Sequence, residues 1–337
     1  MVRSSRRSLM KLAGAGFAAG AITQSAPRGA AAKAQPGALW TAEYWAHKGE
    51  VKLYMFRKRN GAPEKSEPPR PVVFLVHGSS VSSRPTFDLT VPGKGEYSLM
   101  NELARRGFDV WTMDHEGYGR SSRTERNSDI RSGAEDLRAG SEVVARETGR
   151  HKIHYVGESS GALRAAAFAT ASPDVVDRLV LMAFTYTGAG SPTLQKRAEQ
   201  IEFFRTHNRR KRDREMIRSI FTRDRPGTAD PSVAEAMADA ELPFGDTVPT
   251  GTYLDMTANL PVVDPAKVRA PTLVVRGEFD GIATEEDLLD FYRKLPNADR
   301  QFSILPGLAH SLALGINRHL FWHCAATFLE MPRATPI

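Results

Sequence analysis

Only one cysteine, Cys324, occurs in this sequence of 337 residues. A single cysteine cannot form a disulfide within the chain, so packing must stabilise the fold even in an oxidising compartment. No repeat period is visible along the sequence either. With 41% apolar and 25% charged residues, the composition excludes a disordered tail protein, a collagen-like chain and a small disulfide scaffold. We expect a globular chain with a large buried core.

Acidic residues are missing from the first 34 positions, which carry six basic residues. The remaining chain has 40 basic and 39 acidic residues, so most of the net charge of +7 lies near the N-terminus. A basic balance spread over the whole chain would suggest a nucleic-acid or anionic-membrane partner. The nearly neutral remainder predicts no nucleic-acid partner.

The basic N-terminal stretch has the pattern of a bacterial export signal. SRRSLMK at residues 5–11 resembles the twin-arginine consensus, and the weakly apolar run LAGAGFAAGAI and several small residues follow it. The apolar run is too short to span a bilayer. We therefore predict a signal peptide over residues 1–34, cleaved after Ala34 or alternatively Ala32. This implies the twin-arginine export machinery as a partner, a periplasmic or secreted protein and no stable membrane anchor. The alternative is a basic N-terminus followed by an Ala/Gly linker.

Apolar runs of strand length alternate with stretches of helical spacing through most of the remaining chain. Alternation of apolar and polar residues after Glu50 predicts an early, half-exposed strand, and a proline-rich loop over 60–71 follows it. The predicted buried strands are Val72–Val76, Val110–Met113, Ile153–Val156, Leu179–Met182, Thr272–Val275 and Phe302–Leu305. The predicted helices include Leu99–Arg106, Gly133–Thr148 and Ala162–Ala171. Strands that are apolar on both faces and alternate with helices predict an α/β fold, with a mostly parallel sheet covered by helices on both faces.

One segment, residues 187–262, interrupts this alternation. Residues 191–221 within it have the pattern of one or two charged amphipathic helices. Such a segment between two strands of a parallel sheet is typical of an inserted helical lid. The predicted organisation is therefore a core formed by 35–186 and 263–337, with the lid at 187–262.

The first candidate site residue is Ser159, in the sequence VGESSG at residues 156–161. This is a G-x-S-x-G motif between an apolar strand and an Ala-rich helix, the setting of a nucleophile elbow. So tight a turn requires residues without a Cβ at Gly157 and Gly161. The backbone N–H of Ser160 then lies at a helix start, where it can stabilise an oxyanion. The alternative is a coincidental match in an ordinary loop.

A second strand end is formed by His77 and the residues that follow it. An acyl-transfer site needs two donors for the developing oxyanion, and the loop after this strand can supply the second. We assign that role to the backbone N–H of Ser79, with Ser80 as the neighbouring alternative. His77 is interpreted as a structural histidine rather than a catalytic one.

Two further strand ends carry an acid and a base. Asp280 follows one apolar strand and His310 follows the next. A serine nucleophile needs an imidazole to accept its proton, and the imidazole needs a carboxylate to fix its tautomer and stabilise its charge. The chain order Ser159, Asp280, His310 is one of three orders known for such triads. Glu278 is the competing acid.

With these motifs in place, the sequence resembles the α/β-hydrolase fold superfamily over roughly 71–185 and 263–330. The loop 111–122 is similar to the D-x-x-G-x-G-x-S loop of that superfamily. The resemblance implies a carboxylic-ester hydrolase that needs no cofactor. A serine at position 159 separates the chain from relatives that attack with an aspartate, the haloalkane dehalogenases and epoxide hydrolases.

Two function classes follow from these residues. The first is a secreted serine esterase that acts on a small-molecule ester, with amide, lactone or carbon–carbon cleavage and cofactor-free peroxidation as reactions open to the same triad. The second is a non-catalytic ligand-binding protein on a hydrolase scaffold. No metal site is expected: His319 and His323 are four residues apart on a predicted helix, but no further ligand accompanies them at motif spacing.

The predicted lid is the most basic part of the chain after the N-terminus. Residues 196–225 contain 11 basic and 5 acidic residues. A substrate with an apolar body and a free carboxylate, held by one lid arginine, would match this charge. The substrate-binding candidates are Ser80, Phe204 and Arg205. The full set of arginines considered for the carboxylate is Arg205, Arg209, Arg210, Arg212, Arg214 and Arg218. The alternative is a solvated basic helix face.

Overall fold

The computed structural model describes residues 38–333, so the predicted signal peptide lies outside the described residues. The described chain contains twelve β-strands. In chain order they are β1 (Leu39–Lys48), β2 (Val51–Asn60), β3 (Val72–Val76), β4 (Leu89–Thr90), β5 (Glu96–Tyr97), β6 (Asp109–Met113), β7 (Ile153–Glu158), β8 (Val176–Met182), β9 (Arg209–Lys211), β10 (Thr247–Pro249), β11 (Thr272–Gly277) and β12 (Arg300–Leu305).

Eleven α-helices accompany these strands within residues 38–333. They are α1 (Ser83–Phe87), α2 (Leu99–Arg105), α3 (Ile130–Thr148), α4 (Ser160–Ala171), α5 (Pro192–Ala198), α6 (Ile201–Thr206), α7 (Arg214–Thr222), α8 (Pro231–Glu241), α9 (Gly251–Leu254), α10 (Glu285–Lys294) and α11 (Arg318–Glu330). None of these helices combines the length and the hydropathy that crossing a membrane requires.

Eight strands form one sheet in the order β1-β2-β6-β3-β7-β8-β11-β12. The six strands from β6 to β12 pair in parallel, whereas β1 and β2 add an antiparallel edge. Strand β3 lies between β6 and β7, so the chain moves to one side of β3 and then returns to the other. The prediction of a mostly parallel α/β sheet is confirmed.

The sheet is buried on both faces, as its continuous apolar strands predict. Along β3, Phe74 packs in a core with helices α3, α4 and α10, while its neighbour Leu75 packs in a second core with α2 and α11. Successive side chains of a strand point to opposite faces. A strand that is apolar at every position therefore needs helices on both sides of the sheet.

The predicted half-exposure of the early strand is wrong, because β2 is almost completely buried. Strand β1, which the sequence pattern did not reveal, pairs along its full length with β2 and makes β2 an interior strand of the sheet. The basic residues of β2 are neutralised where they are buried. Arg57, for example, donates to both carboxylate oxygens of Asp109.

The segment 187–262 is more finely divided than predicted. In place of one or two long helices over 191–221, it forms α5, α6 and α7, with β9 between α6 and α7. Ser191 and Asp213 cap α5 and α7 by accepting hydrogen bonds from backbone N–H groups of the first turns. Helix α7 packs on α8, and their apolar residues form a separate core with the loop that follows β3.

Candidate functional site

Ser159 sits at a sharp turn between β7 and α4. Its backbone has φ 56° and ψ −122°, a left-handed conformation that non-glycine residues rarely adopt. The flanking glycines allow the turn: a Cβ at Gly157 would lie 2.6 Å from the Cα of Ala162, and one at Gly161 would clash with the carbonyl oxygen of Val76. The serine is thus held at the carboxyl edge of the sheet.

His310 connects Ser159 to Asp280. Its Nε2 lies 3.1 Å from Ser159 Oγ, and its Nδ1 lies 2.9 Å from Asp280 Oδ1. All three side chains are buried. The competing acid, Glu278, points elsewhere and accepts a hydrogen bond from the backbone N–H of Gly307 at 2.8 Å. Glu278 therefore ties the acid loop to the histidine loop without touching the histidine.

Two buried carboxyl groups lie close together here and differ in protonation. Burial alone would raise the pKa of Asp280, but His310 and the backbone N–H of Ile282 bring that pKa below its ordinary value. Burial, followed by the nearby charge of Asp280, raises the pKa of Glu158 to about 8. Asp280 is therefore the ionised partner of His310, while Glu158 is mostly protonated at neutral pH.

A third acid, Asp224, lies beside this chain. Within the described residues, Asp224, Asp280 and His310 are the one group whose potential metal-ligand atoms lie close together, all within 4.8 Å. Both nitrogens of His310 are already engaged in hydrogen bonds. The geometry is that of a proton-transfer chain rather than a set of free ligands.

The loop after β3 covers the serine. A Cβ on Gly78 would lie 3.3 Å from Ser159 Cβ, so the loop passes directly over the turn. Thr252 Oγ1 donates to Ser79 Oγ at 2.8 Å, and Ser79 Oγ donates to Ser160 Oγ at 2.7 Å. This relay holds together the two residues whose backbone N–H groups were assigned to the oxyanion.

The histidines of neighbouring loops have structural contacts. His77 Nε2 accepts a hydrogen bond from the backbone N–H of His115, and His115 Nδ1 pairs with Asp136 at 3.0 Å. Burial lowers the pKa of both histidines well below the usual value, and further nearby positive charges add to this effect. These buried, neutral histidines brace the loops that surround the site, although His115 Nε2 makes no hydrogen bond within residues 38–333.

Two adjoining cavities open at the carboxyl edge of the sheet. The inner one, of about 40 Å³, is lined by Ser159, His310 and the loop after β3. The outer one, of about 590 Å³, is lined mainly by residues of the segment 187–262. The two share Ser80, Arg197 and Arg223 in their walls. The two cavities therefore meet at these three side chains, next to Ser159.

Of Ser80, Phe204 and Arg205, only Ser80 lines these cavities, and of the arginines predicted for a carboxylate, Arg210 lines the outer one. Ser80 Oγ is 2.7 Å from the hydroxyl of Tyr253. Phe204 is buried in a small apolar cluster, and Arg205 is exposed and paired with Glu202. Neither Phe204 nor Arg205 contributes to the cavity walls.

The sequence reasoning missed several residues that surround the site. Arg197 and Arg223 lie in the basic stretch that it singled out, but not among the arginines that it considered for a carboxylate. Composition marks a charged stretch and does not tell which of its members face a cavity. No sequence signal pointed to Thr252 or Tyr253, which approach the serine loop from far along the chain.

The sheet order, the strained serine turn and the serine–histidine–aspartate contacts define an α/β-hydrolase. The family model described as serine aminopeptidase, S33, matches residues 67–315, most of the chain. The chain therefore belongs to this family, and it is a hydrolase of the α/β-hydrolase superfamily.

Individual relatives agree with this assignment. A probable lipase of Schizosaccharomyces pombe is 30% identical over 128 residues, which are 35% of this chain but only 28% of the lipase. The AB hydrolase superfamily protein YisY of Bacillus subtilis is 26% identical over 254 residues, 70% of this chain and 82% of YisY. The crystal structure of a bromoperoxidase from Bacillus anthracis superposes with a TM-score of 0.63 at 19% identity, over 86% of this chain and 100% of the other. That likeness shows the shared fold.

Proposed function

We propose that this protein is a secreted serine hydrolase that cleaves carboxylic esters through an acyl-enzyme. The observation that carries the proposal is the unbroken chain of contacts from Ser159 through His310 to Asp280. A serine hydroxyl is a poor nucleophile at neutral pH, so it depends on a base within hydrogen-bond reach. His310 is at that distance, and the ionised Asp280 stabilises the imidazolium that forms.

The proposed reaction has two similar halves. Ser159 Oγ attacks the ester carbonyl carbon while its proton moves to His310 Nε2, and the carbonyl oxygen becomes an anion. The backbone N–H groups of Ser79 and Ser160 donate hydrogen bonds to that anion. The intermediate collapses, the C–O bond to the alcohol breaks, and the departing alcohol takes the proton from His310. Water then attacks the acyl-enzyme by the same route and releases the carboxylic acid.

The charge around the outer cavity favours an ester substrate over the amino terminus of a peptide. An aminopeptidase must bind an α-ammonium group, which requires acidic side chains. Four cationic side chains and a single acid, Asp224, line the outer cavity. We infer that the segment 187–262 acts as a lid that supplies this basic wall. An ester that also carries a free carboxylate is the substrate that such a wall suits best.

A fluorophosphonate probe tests the proposed nucleophile. We expect wild type to gain the probe mass at Ser159, and Ser159→Ala to remain unlabelled. His323→Ala, at an exposed position of α11, is the control and should still be labelled at Ser159. Hydrolysis of a 4-nitrophenyl ester should also exceed that of the 4-nitroanilide with the same acyl group. A protein that no probe labels would instead be a ligand-binding member of the fold, and faster anilide cleavage would indicate an amidase.

We propose in addition that the twin-arginine pattern at Arg6 and Arg7 directs export. The double substitution of Arg6→Lys and Arg7→Lys keeps the charge but removes the guanidinium groups that this pathway recognises. Active enzyme is expected to accumulate in the cytoplasm of a bacterial host, as fractionation and ester assays would show. Unchanged periplasmic activity would contradict the proposal. Arg28→Lys, also in the first 34 residues, is the control and should leave export unchanged.

A further inference from the structure

The basic wall of the outer cavity lacks matching negative charge. Lys196, Arg197, Arg210 and Arg223 line it, and Asp224 is its single acid. Asp224 is also shared, since it accepts from Thr193 Oγ1 at 3.3 Å and lies 3.5 Å from Arg223. Cations that outnumber the acids around a cavity favour an anionic ligand.

Most other arginines of the segment are neutralised within the protein. Arg212 forms a buried ion pair with Glu241, Arg214 binds Glu235 and Asp239, and Arg218 also binds Glu235. Their positive charges therefore stabilise the helices of the segment. These three arginines were candidates for a carboxylate in the sequence analysis, but their ion pairs remove them.

Among residues 38–333, Arg197 and Arg210 line the outer cavity without an acidic partner, and only Arg197 of the two also lines the inner cavity. Arg197 Nη1 is buried, and within the described residues it makes no hydrogen bond. The guanidinium carbon lies 5.3 Å from the centre of the Tyr253 ring, which holds its orientation through a cation–π contact. Burial, together with the charge of Arg223, lowers the pKa of Arg197 to about 10. A buried donor without an acceptor is unfavourable, so an anionic ligand would stabilise this side chain.

The position of Arg197 relates it directly to Ser159. It belongs to the wall of the inner cavity, with Ser159 and His310, and also to the wall of the outer cavity. Met216, Tyr253 and Phe279 add apolar surface to the outer cavity. One ligand can thus place an ester at the serine, an apolar body against these side chains and an anionic group at the arginine.

Given the proposed esterase function, on which this inference rests, we propose that Arg197 determines specificity by binding a free carboxylate of the substrate. The substrate class is a monoester of an aromatic dicarboxylic acid. A planar guanidinium can hold a carboxylate with two parallel hydrogen bonds, a geometry that a lysine cannot reproduce. Arg223, at the same junction of the cavities, adds a second positive charge that Asp224 offsets in part.

The test compares two substrates that release the same product. The first is 4-nitrophenyl hydrogen terephthalate, which has a free carboxylate, and the second is its neutral methyl ester, methyl 4-nitrophenyl terephthalate. Wild type is expected to have the higher kcat/KM for the acid. Arg197→Gln should lower kcat/KM for the acid by about 10- to 100-fold, the range of a lost charge-assisted hydrogen bond. The same variant should change kcat/KM for the neutral ester by less than about threefold.

Two control variants identify the cause of any loss. Arg205→Gln removes the same charge from the same segment, outside both cavities, and should leave the preference for the acid unchanged. Arg197→Lys keeps the charge but not the paired hydrogen bonds, so its loss should be intermediate. A higher kcat/KM of wild type for the neutral ester would overturn the proposal. Equal losses in Arg197→Gln and Arg205→Gln would overturn it as well, because they indicate a long-range effect of charge.

If Arg197→Gln folds poorly, a protection experiment on wild type and Arg197→Lys tests the proposal instead. Benzoate should slow fluorophosphonate labelling of wild-type Ser159 and slow that of Arg197→Lys less. Equal protection of the two would overturn the proposal. Failure of the proposed function gives a different result, because wild type would then neither react with the probe nor cleave either ester. If wild type is labelled and Arg197→Gln keeps the same substrate preference as wild type, the carboxylate site is contradicted and the proposed esterase function is not.

Discussion

Ser159→Ala and His310→Ala are each expected to lower turnover of a 4-nitrophenyl ester by up to about a million-fold. The two side chains act as one unit, because the histidine has no role in attack without the hydroxyl and the hydroxyl is nearly inert without the base. The double variant should therefore be little slower than either single variant. Initial rates at saturating substrate, with active protein quantified by mass, provide the measurement.

The Ser159→Ala substitution does not change the backbone conformation that the turn requires. Alanine keeps the Cβ and loses only the hydroxyl, so the left-handed conformation at φ 56° stays equally strained. His323→Ala is a suitable control because His323 is exposed on α11, and it should stay within about twofold of wild type. More than about one-hundredth of wild-type turnover in Ser159→Ala would show that another group is the nucleophile.

Asp280→Asn is expected to lower turnover by roughly ten-thousand-fold, less than the loss of the base or nucleophile. The aspartate does not take part in bond formation. Its negative charge stabilises the imidazolium of His310. Its Oδ1 accepts hydrogen bonds from His310 Nδ1 and from the backbone N–H of Ile282. A neutral amide removes that charge and leaves the histidine a weaker base.

Glu278→Gln is the matched control for the acid. A glutamine oxygen can still accept the hydrogen bond from the Gly307 N–H, so the histidine loop should keep its position. Turnover within about tenfold of wild type is the expected result. If Glu278→Gln were the slower of the two variants, Glu278 would have to be the acid of the triad.

The fold and the central contacts could be predicted because their signals are local in the sequence. Apolar runs that alternate with helical spacing specify a parallel sheet, whatever the loops between them do. The turn at Ser159 needs glycines two residues away on either side, and those glycines are visible in the sequence. Asp280 and His310 each follow a strand, and the carboxyl ends of parallel strands meet at one edge. The three residues were therefore expected to converge, as they do in the structure.

Burial of β2 and the choice among the arginines could not be predicted in this way. Burial of β2 depends on its pairing with β1. Neutralisation of its buried basic residues depends on distant acids such as Asp109. Likewise, Arg212 is neutralised by Glu241, 29 positions away, after α7 packs on α8. Composition gives the number of charged residues but not which of them form ion pairs.

The sequence by itself determined the α/β class, the serine turn and the placement of Asp280 and His310 at neighbouring strand ends, because each depends on residues that are close along the chain. Only the tertiary structure decided that Ser80, Arg197 and Arg223 share the walls of two adjoining cavities, and that Phe204 and Arg205 do not. Cavity walls form where short helices meet loops from distant parts of the chain. The side chains that face such a space are set by packing and by long-range ion pairs, which no local pattern records.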